Sequence, residues 1–126
     1  MRGTLAAIER QLMVDGLVLR YRTENVDDGL PAGEDVFLAC SFWMVSVLKM
    51  MGRDEDAKRL FDRLLALRND VGLLAEGYDP ATQRQLGNFP QALSHIALIN
   101  AAFEFTHDTA PGQQRAQSSS PRAKLQ

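Results

Sequence analysis

Two segments of this chain are apolar on almost every face of a helix, and such helices have few possible surroundings. The first runs from about Asp35 to Met51 and the second from Pro90 to about Phe105. A helix that is hydrophobic all round must be covered on all sides, by protein or by lipid. The first segment contains Ser41, Ser46 and Lys49 and is short for a membrane span. We therefore expect two helices enclosed by protein and no membrane partner.

Two further segments show the pattern of one-sided helices. Residues 2–14 place Leu5, Ile8 and Leu12 on one face, and residues 55–67, preceded by Asp54 as the predicted N-cap, likewise separate apolar from charged positions. One-sided and enclosed helices alternate along the chain. This order predicts an all-α protein of about four helices in two layers, in which outer helices cover inner ones.

The two long connections are the predicted place for function. Residues 16–35 hold a short extended segment and a polar loop, and residues 68–89 are rich in turn residues. Both lead from an outer helix into an inner one, so they should share one rim. Glu76 stands in the second connection, between apolar residues and an aromatic one. Such a carboxylate can be a catalytic acid or base, although on spacing alone a solvated surface residue is the commoner explanation.

Charge and composition exclude several classes of function. The net charge is −2, which gives no electrostatic reason to bind nucleic acid. Residues 108–126 are dominated by Pro, Gly, Gln and Ser and are predicted to form a disordered tail, which leaves residues 1–107 as one domain. The charged side chains among residues 1–14 argue against a signal peptide, so we expect a cytoplasmic protein.

The few chemically distinctive side chains do not form a metal or cofactor site. Cys40 is the single cysteine and lies in an apolar run, where a core role is expected. His95 and His107 stand apart and have no zinc-ligand spacing; His95 is interpreted as a polar core or site-lining residue and His107 as a surface residue. Phe42 and Trp43 are both assigned to the core. We predict no metal and no cofactor.

Several short motifs resemble the C-terminal part of the family 15 glycoside hydrolases, the group that includes glucoamylase, glucodextranase and bacterial trehalases. The resemblance covers about residues 4–106 and leaves out the tail. It is carried by several motifs in the same order as in the family, which are residues 16–22, 28–31, 37–43, 65–80 and 85–91 together with Ser94 and His95.

The resemblance implies an (α/α)6 barrel of which this chain would be the C-terminal third. It also implies hydrolysis of α-glucosidic bonds with inversion, in an α-glucoside oligosaccharide or in trehalose. One carboxylic acid then protonates the leaving oxygen and a carboxylate about 6.5–9.5 Å away activates water. The base of the family corresponds to Glu76. The family often has Glu or Gln at the next position, and Gly77 is expected to loosen the loop.

The resemblance also suggests residues that contact the sugar. Arg20 corresponds to an arginine that contacts sugar hydroxyls in the family, although a solvated charge at a strand end explains it equally well. Glu34 is a weaker candidate, because a carboxylate at the start of a helix is favoured by the helix dipole in any case. Three residues after the base stand at a helix mouth and could line the pocket, namely Asn88, Phe89 and Gln91.

One element of the family pattern is missing. The general acid of the family lies in a Trp-Glu motif, whereas the single tryptophan here is Trp43, which Met44 follows. We therefore expect a chain that is inactive alone and leaves apolar helix faces bare. Two alternatives remain. Residues 45–67 resemble a tetratricopeptide-type helix pair, which would indicate an interaction module, but no second copy follows. The chain could also be a non-catalytic remnant.

Overall fold

The computed structural model describes residues 2–22 and 35–106, and the predicted all-α class with four helices is confirmed. Five strands of two or three residues accompany the helices. None of the helices in the described part is long and apolar enough to cross a membrane. The elements are α1 (Arg2–Gln11), β1 (Met13–Val14), β2 (Leu17–Val18), β3 (Val36–Phe37), α2 (Leu38–Met50), α3 (Asp54–Ala66), β4 (Gly77–Asp79), β5 (Arg84–Leu86) and α4 (Ala92–Thr106).

Helix α2 is the centre of the core and is covered on most of its faces, although its apolar pattern predicted cover on all of them. It packs against both α3 and α4. Phe42 is fully buried and its ring meets that of Phe61 on α3 edge to face, with 6.3 Å between the ring centroids. Burial of this kind on several faces explains why an apolar pattern runs round the whole helix. Its buried residues are Leu38, Ala39, Ser41, Phe42, Met44, Val45 and Leu48.

The turn between α2 and α3 is a Schellman motif at the predicted glycine. Gly52 has φ of +74°, its N–H donates to the Lys49 carbonyl at 3.0 Å, and the N–H of Arg53 donates to the Leu48 carbonyl at 2.9 Å. The predicted N-cap, Asp54, is wrong. Arg53 occupies that position without a side-chain cap, and Asp54 lies in the first turn, where its carboxylate pairs with the Lys49 ammonium at 2.6 Å.

Helix α1 is shorter than predicted because its last predicted residues form a hairpin. Met13 pairs with Val18 and Val14 with Leu17 in antiparallel register. Asp15 and Gly16, at φ of 49° and 71°, make the two-residue turn between them. An Asp-Gly pair with both residues at positive φ is the type I′ turn that matches strand twist. The Asp-Gly pair therefore joins two strands here, rather than only ending a helix.

The second sheet brings the two long connections side by side. Strand β3 pairs with β4, and β4 pairs with β5, all antiparallel. An isolated bridge between Leu19 and Val36 attaches the end of the first connection to β3. The described parts of residues 16–35 and 68–89 therefore meet at one end of the helices, in agreement with the prediction that the two connections share one rim. The predicted irregular connection at 68–89 contains the β4–β5 hairpin.

Helix α4 is not enclosed in this chain, contrary to its apolar pattern. Its buried residues are small or polar, namely Ser94, Ala97 and Ala101, whereas four of its large apolar side chains are exposed. Among the described residues α2 makes the main contact with α4, and Phe105 packs against Phe61 of α3, so α4 is covered only in part. Bare apolar faces were expected for part of a ring. We call the exposed set the apolar face of α4; it comprises Leu93, Ile96, Ile99 and Phe103.

Trp43 corrects a second prediction about the core. Its side chain is 48% exposed, although its neighbour Phe42 is fully buried. Successive residues of a helix point about 100° apart, so an apolar run cannot place all its members against the same partner helices. On α2, the partners α3 and α4 cover Phe42 and leave Trp43 outside.

Candidate active site

The backbone of Glu76 is held on both sides. Its N–H donates to the Asn88 carbonyl at 2.9 Å, and its carbonyl accepts the N–H of Leu38, the first residue of α2, at 3.1 Å. Glu76 lies directly before β4, and its side chain is half-buried. The carboxylate is therefore carried on a fixed backbone between the hairpin and the start of the central helix.

The side chain of Gln85 anchors the residues that lead to Glu76. Its Oε1 accepts the N–H of Ala75. Its Nε2 donates to the carbonyls of Leu67, at 3.1 Å, and Leu73, at 3.3 Å. One half-buried amide on β5 thus spans the end of α3 and the segment before the candidate base. Because an amide both donates and accepts, no apolar side chain of that size could replace it.

The start of α4 completes the hydrogen bonding of the same segment. The Leu74 carbonyl accepts the N–H of Gln91 at 2.9 Å, and the Leu74 N–H donates to His95 Nε2 at 3.3 Å. Ser94 Oγ, fully buried, donates to the Ala75 carbonyl at 2.8 Å. The backbone polar groups from the Leu73 carbonyl to the Glu76 carbonyl are therefore all paired, which buried backbone requires.

These bonds also fix the form of His95. Its Nδ1 lies 2.7 Å from the Gln91 carbonyl, which can only accept, so Nδ1 carries a proton. Its Nε2 accepts from the Leu74 N–H and therefore carries none. His95 therefore contacts the loop and the start of α4 through both ring nitrogens, which agrees with its interpretation as a polar core or site-lining residue.

Replacing Ser94 with Ala should loosen the loop in front of Glu76. The Ala75 carbonyl would lose its donor in a buried position, and an unsatisfied group of this kind costs about 1–3 kcal/mol. We expect faster amide hydrogen exchange in the peptide covering residues 73–76, measured by mass spectrometry. Ser46→Ala on α2 is the matched control and should leave this peptide unchanged. Equal exchange in all three proteins would contradict the role of Ser94.

The carboxylate of Glu76 is in contact with Asn88 and Gly87. Its Oε2 accepts Asn88 Nδ2 at 2.8 Å and the Asn88 backbone N–H at 3.3 Å. Gly87 has φ of +77°, and a Cβ at that position would lie 3.0 Å from Oε2 and 3.1 Å from the Glu76 Cβ. Only glycine combines this backbone conformation with such a close approach to the carboxylate.

Gly77 does not loosen the loop as expected. It is buried and pairs with Phe37 on one side and with Leu86 on the other, in the middle of the three-stranded sheet. A Cβ there would lie 3.1 Å from the Val36 carbonyl oxygen, closer than side chains normally approach. The glycine therefore permits the close approach of β3 directly beside Glu76.

Arg20 lies one strand away from Glu76. Its guanidinium carbon is 5.3 Å from the centroid of the Phe37 ring, in a cation–π contact. Phe37 in turn pairs with Gly77, the residue after Glu76. Arg20 itself is exposed, so its donors face solvent at the same end of the helices as the carboxylate.

The other predicted site residues differ in how closely they approach Glu76. Phe89 is 51% exposed, and Gln91 is half-buried and bonds the loop through its backbone. Glu34 lies outside the described residues.

Sequence reasoning missed Gln85 as part of the site. A signal was available, since a polar residue in a hairpin next to a segment of buried apolar residues often satisfies backbone groups.

Cys40 has the character of a core residue. Burial raises the pKa of its thiol above the ordinary value, and the nearby positive charge of Arg20 lowers it to a smaller extent. A raised pKa means less thiolate at neutral pH, so nucleophilic reactivity is reduced. This agrees with the expectation that Cys40 packs as a small apolar side chain.

A groove of about 290 Å³ lies away from the candidate site, between α1, α2 and α3. Ion pairs cross its rim, with Arg53 bound to Glu9 at 2.5 Å and to Asp56 at 2.8 Å. None of the candidate site residues lines it. The groove therefore lies where α1 and α3 come together beside α2, joined by the Arg53–Glu9 ion pair.

Comparisons with known proteins give a consistent family. The model of the glycosyl hydrolases of family 15 matches residues 1–103. A trehalase of Mycolicibacterium smegmatis is 53% identical over 100 residues, 79% of this chain and 15% of that protein. A trehalase of Thermoplasma volcanium is 45% identical over 101 residues, 79% of this chain and 16% of that protein. Trehalase 1 of Sulfolobus acidocaldarius is 34% identical over 101 residues, 80% of this chain and 17% of that protein.

The match takes in α1, α2, α3, both hairpins and most of α4, but only part of each relative. The chain spans about a sixth of the length of the curated relatives it matches. No solved structure gives a significant match. A family match over residues 1–103 leaves no support for a tetratricopeptide-type module, and the α2–α3 pair that suggested one lies inside the matched region. The chain belongs to the glycosyl hydrolases of family 15.

Proposed function

We propose that this chain carries the general base of an inverting glycoside hydrolase that acts on trehalose, and that Glu76 is that base. The observation that carries the proposal is the set of hydrogen bonds that holds the backbone and the carboxylate of Glu76. Its carboxylate stands on a backbone whose polar groups are all paired, with one of its oxygens bonded to Asn88. Fixed orientation of this kind is what general base catalysis needs.

The chemistry would proceed in one displacement. The carboxylate of Glu76 takes a proton from water, the water oxygen bonds to the anomeric carbon, and the glycosidic bond breaks as an acid protonates the leaving oxygen. Arg20, exposed one strand away, would donate to sugar hydroxyls. The acid must stand far enough from Glu76 to admit the water, about 6.5–9.5 Å. We propose that it comes from a segment other than these 126 residues.

Trehalose is favoured over starch-type glucans as the substrate. The three relatives described above are named trehalases, at 53%, 45% and 34% identity. The proposed activity belongs to a domain that combines this chain with further segments, because the chain spans about a sixth of these relatives.

A chimera tests the proposal directly. In the Mycolicibacterium smegmatis trehalase, the segment matching this chain would be replaced by residues 1–126, and glucose release from trehalose and from maltose would be measured. We expect hydrolysis of trehalose above that of maltose, and no hydrolysis by the 126-residue chain alone. A folded chimera, shown by circular dichroism and a cooperative melt, that releases no glucose would contradict the proposal.

A further inference from the structure

The contacts of the Glu76 carboxylate are unequal between its two oxygens. Oε2 accepts both hydrogen bonds from Asn88, from Nδ2 at 2.8 Å and from the backbone N–H at 3.3 Å. No hydrogen bond of Oε1 is found within residues 2–22 and 35–106. Asn88 therefore holds the carboxylate through Oε2, and Oε1 is left to accept a hydrogen bond from water.

The backbone reinforces this arrangement. The Asn88 carbonyl accepts the Glu76 N–H at 2.9 Å, so the two residues are joined at the main chain as well as at the side chains. Gly87 lets the turn approach, because any Cβ there would lie 3.0 Å from Oε2. The backbone of Asn88 is therefore fixed beside Glu76, within reach of its carboxylate.

Asn88 is not needed for the core. It is exposed, and it is not among the buried residues that hold the helices together. A hydrogen bond that water can replace contributes little to stability. The bond of Asn88 to Oε2 is therefore better explained by the orientation it gives the carboxylate than by folding.

We propose that Asn88 is a positioning residue that fixes Glu76 through Oε2 and so directs Oε1 at the attacking water. This inference rests on the proposed function of Glu76. It differs from the sequence expectation, in which Asn88 contacts the sugar.

The test is Asn88→Ala in the chimera, with kcat and KM for trehalose measured by steady-state kinetics. We expect kcat to fall roughly 10- to 100-fold, because small misplacements of a catalytic group have effects of this size. KM should change less than about twofold, because the variant does not remove a contact with the bound substrate. Gln11→Ala, which removes an exposed amide side chain at the end of α1, is the matched control and should behave as the parent.

Two results would overturn the inference without touching the proposed function. In one, the parent chimera is active and Asn88→Ala raises KM while kcat is unchanged, which indicates a sugar contact. In the other, kcat and KM both stay as in the parent. Failure of the proposed function looks different, because the folded parent chimera itself then releases no glucose. A cooperative melt of each variant separates these results from misfolding.

Discussion

Glu76→Gln in the trehalase chimera should lower kcat for trehalose by about two to four orders of magnitude, the usual contribution of a general base. The amide keeps the shape of the side chain and can still bond Asn88, but its oxygen takes a proton from water far less readily than a carboxylate does. Substrate contacts are unchanged, so KM should stay within a few-fold. The measurement is steady-state release of glucose.

Glu55→Gln is the control for this variant. Glu55 is an exposed carboxylate in the first turn of α3, so its replacement removes the same charge away from the rim. It should leave kcat unchanged. If Glu76→Gln kept more than a tenth of the parent kcat, Glu76 would not be the base.

The second large effect concerns the apolar face of α4. Ile96 is 54% and Ile99 61% exposed in this chain, whereas their apolar character suits a covered helix. We expect the double variant Ile96→Lys with Ile99→Lys to abolish the activity of the chimera. Each buried isoleucine contributes about 1.5–3 kcal/mol, and burying an unpaired ammonium adds a further cost.

In the 126-residue chain alone the same double variant should have the opposite effect. Exposed apolar faces promote association, and two lysines would interrupt this one. We expect a smaller apparent mass in sedimentation velocity than for the parent chain. Glu55→Lys with Ala66→Lys, both exposed on α3, is the control that adds lysines elsewhere. An active chimera carrying the two α4 lysines would show that this face stays open in the complete domain.

The position of a helix could be predicted from the sequence where the helix packs against the core on one face only, since its apolar residues then repeat at helical spacing. Helix α3 shows this best, because its buried residues Ala57, Leu60 and Leu64 repeat at helical spacing. Helix α1 was predicted to Val14 since Leu12, Met13 and Val14 extend the apolar run. The Asp15–Gly16 turn, with both residues at positive φ, instead folds that run into a hairpin. Here turn chemistry prevailed over periodicity.

The enclosed character of α4 could be read from its sequence but is not realised in this chain. Large apolar residues such as Leu93 and Phe103 indicate that a helix face is suited to burial. They do not indicate which segment buries it, because a covering segment can be distant in the sequence. Trp43 shows the same limit on α2, where the neighbouring Phe42 is fully buried and Trp43 is not.

Of the candidate site, the sequence predicted Glu76 and its neighbourhood but not how it is held. Asn88 was assigned to the sugar, and the structure shows it on the carboxylate. Gln85 and Ser94 bond backbone groups of the loop, and such pairings depend on geometry between segments that lie far apart along the chain. A residue-by-residue pattern contains no distance between those segments. The hydrogen-bond partners therefore required the structure.

Azide rescue tests the role of Glu76 most directly. In the chimera with Glu76→Ala, the space of the carboxylate is open to a small anion, which can attack the anomeric carbon without a base. With α-glucosyl fluoride as substrate, sodium azide should restore the rate and form β-glucosyl azide, identified by proton NMR. No restoration of the rate, or an α-glucosyl azide, would contradict the assignment of Glu76 as the base that delivers water with inversion.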